Sequence, residues 1–108
     1  MTPSAGEIWI ADRGDERRHL LYVISGLRFH RLAERAIVAP VLDTMPGAPR
    51  PWHIAIDGRA IDGPAIDERA IAVNQLGTTS IDRLLERVDR GDLETLRRVR
   101  QAVHAITS

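Results

Sequence analysis

The run Leu20-Leu21-Tyr22-Val23-Ile24-Ser25, stopped by Gly26, constrains the fold of this chain more than any other segment. It is continuous, apolar and partly β-branched, which suits a central strand of a sheet. Glu7-Ile8-Trp9-Ile10-Ala11-Asp12 reads as a second strand with both faces at least partly covered. Ala36-Ile37-Val38-Ala39 resumes strand character before Pro40, which cannot donate to a ladder and so predicts an edge position or a bulge. Trp52 to Ile56 alternates and meets the turn dipeptide Asp57-Gly58, and Arg69 to Val73 reads as another strand. Thr78-Thr79-Ser80-Ile81 has the character of a strand start.

The connections are less regular. Leu27 to Arg35 reads as a loop or a single helical turn, and Asp43 to Pro51 as the longest loop. The triplet Ala-Ile-Asp recurs at Ala55, Ala60 and Ala65, too short a period for a solenoid. Ile81, Leu84, Leu85 and Val88 have helical spacing, which leaves that stretch ambiguous. The chain end is clearer: Asp92 caps a helix whose apolar stripe is Leu93, Leu96, Val99, Val103 and Ile106. That stripe reads as packing against the sheet or a dimer mate. The outline is mainly β with α, five or six short strands closed by a C-terminal helix, a small barrel or curled sheet.

At 108 residues the chain makes one domain, residues 1–108, and with only four aromatics its core rests on Ile, Leu, Val and Ala. The absence of Cys excludes a disulfide scaffold and any Cys-ligated metal. His30, His53 and His104 show no ligand spacing, and no Gly-rich phosphate loop, nucleophile elbow or Walker pattern occurs, so neither a metal nor a cofactor is expected. No apolar run approaches the length of a membrane span and no leader is visible, so a cytoplasmic protein with no membrane partner is expected.

The fifteen basic residues are all Arg and balance fifteen acids, so a nucleic-acid site must be a local patch. Between Arg13 and Arg35 there are six Arg against three acids. Arg17-Arg18-His19 is its densest part, with Arg28 and Arg31 further along. Arg forks match phosphate oxygens, and an imidazole exchanges protons near neutrality. The plainer readings are a solvated face paired with those acids, and a structural His at a strand start. Trp52 either stacks a base, anchors a partner peptide or closes the end of the barrel, whereas Trp9 reads as core.

Several strings occur in a telling order: Gly6-Glu7-Ile8-Trp9, then Arg18 before Leu20 to Ser25, then Ile37-Val38-Ala39-Pro40-Val41. Val73-Asn74-Gln75, Thr79-Ser80-Ile81 and Leu84-Leu85-Glu86-Arg87-Val88 follow. Together, over about residues 6 to 106, they resemble the MazF/PemK toxin family, which shares a fold with the CcdB toxin. The resemblance implies an SH3-like β-barrel with a C-terminal helix, a homodimer, and a place in a toxin–antitoxin pair. It further implies a metal-independent endoribonuclease that cuts single-stranded RNA such as mRNA and is occluded by a cognate antitoxin.

The family's catalytic Arg maps onto Arg18, with His19 where Pro is usual. The family's catalytic Thr maps onto Leu42, followed by Asp43 and then Thr44. Asp15-Glu16-Arg17 stands in a shorter first loop than the family's, and Asn74-Gln75 stands where many members have Asp-Gln. The expected site is therefore Arg18 on the phosphate, with His19 or Thr44 carrying protons and Asp43 a further candidate. Arg17, Arg28, Arg31, Trp52 and Gln75 are the expected RNA contacts. The rival reading is a non-catalytic, CcdB-like toxin or a degenerate member that binds a protein target such as DNA gyrase, using the terminal helix.

Overall fold

Alternating apolar side chains on the first three strands build two cores, one on each face of a sheet. The computed structural model describes residues 2–15, 18–44, 46–48, 50–56 and 69–108. The strands are β1 (Glu7–Ala11), β2 (His19–Val23), β3 (Arg35–Leu42), β4 (His53–Ile56), β5 (Arg69–Ala72), β6 (Gly77–Ser80) and β7 (Leu84–Arg90). Helix α1 (Leu27–Ala33) joins β2 to β3, and α2 (Leu93–Thr107) follows β7. Arg17, the Asp57-Gly58 turn and the Ala-Ile-Asp triplets at Ala60 and Ala65 lie outside the described residues.

Ile8, Tyr22, Ile24, Ala39 and Val41 face one core with Ile54, Ile71, Val99 and Ala102. Their neighbours Trp9, Ala11, Leu21, Val23, Ala36 and Val38 face the other with Leu84. Burial on both faces explains the unbroken apolar runs of β1 and β2, since a strand with one wet face would alternate. Helix α2 covers the first core through buried Val99 and Ala102, with Leu96 and Val103 partly buried. Leu93 is 84% exposed and Ile106 38%, so only the middle of the predicted stripe packs.

All pairings are antiparallel, in the order β4-β5-β3-β2-β1-β7, with β6 also on β3. The fold is thus mainly β with a C-terminal helix, as expected. Its hydrogen-bonded path ends at β4 and β7, and among the described residues these two do not pair to close a barrel.

Three local expectations are refined. Pro40 sits in an inner strand. Ile24 N–H donates to the Ile37 carbonyl and Ile37 N–H to Ser25 Oγ, both at 2.8 Å, so odd-numbered amides of β3 face β2. Alternation turns the Pro40 nitrogen to the opposite edge. There β3 changes partner, from Gly77 of β6 opposite Val38 to Ile71 of β5 opposite Val41. The chain crosses this gap as a 3₁₀ turn, Val73–Gln75, and no ladder bond is required of Pro40.

The segment after Gly26 forms a seven-residue helix instead of a loop or single turn. Its anchor is buried His30, whose Nδ1 donates to the Pro3 carbonyl at 2.7 Å while Nε2 shares a hydrogen bond with Ser25 Oγ at 2.6 Å. Glu34 ends the helix in the left-handed region at φ 56°, with its N–H on the His30 carbonyl. The ambiguous stretch resolves as a 3₁₀ turn, Ile81–Arg83, and then β7, which pairs along β1 with Ala11 opposite Leu84 and Glu7 opposite Arg90.

Candidate functional site

Because β2 and β3 are antiparallel, the first residues of β2 face the last of β3, with Leu21 opposite Pro40. This register forms a cleft of about 570 Å³ with Arg18, His19 and Leu21 on one side and Pro40, Leu42 and Asp43 on the other. Arg18 is exposed just before the strand, and the His19 side chain is 33% exposed. His19 Nε2 lies 2.9 and 3.0 Å from the two carboxylate oxygens of Asp15. A cation, an imidazole and Asp43 therefore gather around a partly apolar floor, with Asp15 joined to them through His19.

The expected site residues separate into three places. Arg18 and His19 share the cleft, and Asp43 joins them. Leu42 is held in the β3 ladder opposite Ala70, while exposed Thr44 sits at the following bend, outside the residues that line the cleft. Arg28 and Arg31 lie on α1 at the other end of β2, a strand length of roughly 17 Å away. Arg31 lines a different cleft, with Glu34, Arg35 and Asp82.

Trp52 and Gln75 lie on the β5 side of β3, across from β2. The Trp52 carbonyl accepts the Val73 N–H at 3.1 Å, and its half-buried ring packs on the first core. The ring meets His53 edge-on, with centroids 6.2 Å apart. Gln75 is exposed at the end of the 3₁₀ turn in the gap beside Pro40.

Sequence reasoning missed a buried anion. Glu7 is 2% exposed and accepts from Ser4 N–H at 2.7 Å, Trp9 Nε1 at 3.2 Å, and Arg87 and Arg90 at 3.1 Å each. Burial pushes its carboxyl up. The hydrogen bonds from Ser4, Arg87, Trp9 and Arg90 outweigh that and hold it below the usual carboxylate range. Two of the fifteen Arg are therefore committed to the fold. Strand alternation puts Glu7 and Trp9 on one face, a signal present in the sequence; the Arg partners come from β7, about eighty residues on, and were not legible.

Among the described residues, no three His, Cys, Asp or Glu side chains gather as metal ligands. No described helix is long and apolar enough to cross a membrane.

Comparison with known proteins places this geometry. No curated protein matches the sequence. Solved structures match its fold at low identity. MazE–MazF (Form-II) from Deinococcus radiodurans has a TM-score of 0.76 at 16% identity, over 99% of this chain and 96% of that one. An endoribonuclease in complex with its cognate antitoxin from a mycobacterial species has a TM-score of 0.72 at 14% identity, over 98% and 93%. The Mycobacterium tuberculosis toxin MazF-mt6 has a TM-score of 0.72 at 14% identity, over 94% and 95%. A family model, the PemK-like, MazF-like toxin of type II toxin–antitoxin systems, matches residues 4–107. Spanning nearly the whole chain, that match shows that this protein belongs to the PemK/MazF family of type II toxins.

Proposed function

We propose that this chain is a metal-independent endoribonuclease that cleaves single-stranded RNA, mRNA included, in the cytoplasm. The observation that carries the reading is Arg18 beside His19 on one cleft. In-line attack by a ribose 2′-oxygen on the neighbouring phosphate loads negative charge onto the phosphate oxygens. The planar fork of Arg18 suits that charge. The 2′-hydroxyl must also lose its proton, and His19 is the nearest group along the chain able to take it. Thr44 stands outside the cleft lining, and Leu42 offers no hydroxyl.

Trp52 and Gln75 are proposed as contacts for the flanking nucleotides on the β5 side. Arg28 and Arg31 serve a longer RNA that runs past the end of β2, and Arg17 adjoins Arg18. Solved structures of MazE–MazF and of an endoribonuclease with its cognate antitoxin support a toxin held in check by a cognate antitoxin, and a homodimer is proposed for it.

The test is incubation of the purified, antitoxin-free protein with total RNA in EDTA and mapping of 5′-hydroxyl ends. Cleavage is expected, and Arg18→Ala should lower its rate about 100-fold or more without unfolding the protein. Intact RNA after incubation with folded wild-type protein would favour the rival, a toxin that binds a protein target such as DNA gyrase.

A further inference from the structure

The cleft carries one contact that the toxin resemblance does not account for. Asp15 precedes His19 by four residues, and both its carboxylate oxygens stand at hydrogen-bond distance from His19 Nε2, at 2.9 and 3.0 Å. An ionised carboxylate only accepts, so Nε2 carries the hydrogen. A neutral ring then keeps its lone pair on Nδ1, and among the described residues Nδ1 takes no hydrogen bond.

The turn that presents Asp15 is itself built. Gly14 adopts φ +84°, its N–H donates to Asp12 Oδ1 at 2.9 Å, and Asp12 N–H donates to the Arg83 carbonyl at 2.9 Å. An exposed ion pair of this spacing would by itself mean little. This one holds a ring that lines the same cleft as Arg18.

We propose that Asp15 is the positioning residue of this site, fixing His19 in its Nε2–H form so that Nδ1 accepts the proton of the ribose 2′-hydroxyl; the assignment rests on the RNA-cleaving reading above. The step balances without a co-reactant other than water. The O2′–H bond breaks and its proton passes to Nδ1, O2′ bonds to phosphorus, and the P–O5′ bond breaks. The departing O5′ takes a proton from solvent water, and the imidazolium returns its proton to the hydroxide so formed. The products are a 2′,3′-cyclic phosphate and a 5′-hydroxyl. A base held in one tautomer is aligned before the substrate arrives, which favours the transition state over the ground state.

The experiment combines two readouts on the full chain. Cleavage kinetics use an RNA oligonucleotide spanning the strongest site mapped in total RNA, with wild type, Asp15→Ala, Asp15→Asn and Asp15→Glu. Asp15→Ala is expected to lower kcat about 10- to 100-fold with KM within twofold, and Asp15→Glu to recover most of the loss. If Asp15→Ala fails to fold, the near-isosteric Asp15→Asn carries the comparison. The imidazole ¹⁵N shifts of His19 in the free protein should report the Nε2–H form in wild type and a mixture in Asp15→Ala.

Wild-type kcat in a folded Asp15→Ala, a loss confined to KM, or a dominant Nδ1–H form in wild type would each overturn the proposal. Failure of wild type to cleave any RNA would instead overturn the endoribonuclease reading and this role with it, so the two failures are told apart by the wild-type lane.

Discussion

Glu7 and Tyr22 are two buried residues whose ionisation the fold controls in opposite senses. Glu7 sits under four donors from three places in the chain, and its depressed folded value means that its contribution is present above the ordinary carboxylate range. It is lost as pH falls through the folded value. Glu7→Gln should therefore destabilise the protein by roughly 2 kcal/mol at pH 7, and by progressively less as pH falls below the ordinary carboxylate range, read by urea denaturation over a pH series. Tyr22 presents the opposite case. Its ring is fully buried, its hydroxyl has no partner among the described residues, and burial, eased by Arg100 and reinforced by Asp92, lifts it from 10 to about 12.

The folded state of Tyr22 thus favours the neutral phenol: stability is intact below pH 10 and is lost as pH rises through the folded value, by about 3 kcal/mol in all. The chain has no Lys and no Cys, so its single Tyr is the one side-chain type that titrates between the imidazole and guanidinium ranges. Absorbance at 295 nm against pH should show one late transition coinciding with loss of structure. Tyr22→Phe should abolish the absorbance change and extend the alkaline limit.

At the level of elements, α1 ends at a cost. Glu34 occupies the left-handed region without being Gly, a conformation in which a Cβ is crowded. Glu34→Gly should raise stability by about 1 kcal/mol, measured by chemical denaturation, because the backbone bond to His30 survives the change. The helix itself was hard to foresee, since what holds it is His30 reaching back to Pro3, a contact across 27 positions. The same kind of distance hid β7. Ile81, Leu84, Leu85 and Val88 have the period of a helix, yet Leu84 is buried and Leu85 62% exposed, as strand alternation requires.

Non-local pairing with β1 overrode local spacing there. By contrast β1, β2 and α2 were legible, because their apolar patterns alone decide their type. Of the candidate site, Arg18 and His19 could be read from their place at the start of β2. Asp15 could not be read as their companion, and Arg28 and Arg31 looked closer to them than a strand in between allows.

Over the whole molecule, fifteen Arg against fifteen acids leave no general attraction for a polyanion, and Arg87 and Arg90 are already bound to Glu7. On the proposed function, RNA affinity must then come from a few phosphates near one cleft. For about three neutralised phosphates on a single strand, log K should fall with log salt at a slope near −2. A fluorescence titration of a labelled oligonucleotide between 50 and 300 mM salt checks this; a slope several times steeper would mean an extended basic track.

The strand order has a further consequence in time. Of the described strands β1 leaves the ribosome first, but one of its two neighbours is β7, the last of them, and the α2 residues that cover the first core come later still. Synthesis and assembly run in opposite senses, and contacts between distant parts of the chain are slow to close. A nascent chain that stops short of β7 leaves one edge of its first strand unpaired and its first core uncovered by α2, so the β2–β3 register that lines the cleft rests on a finished sheet only after β7 and α2 have been made.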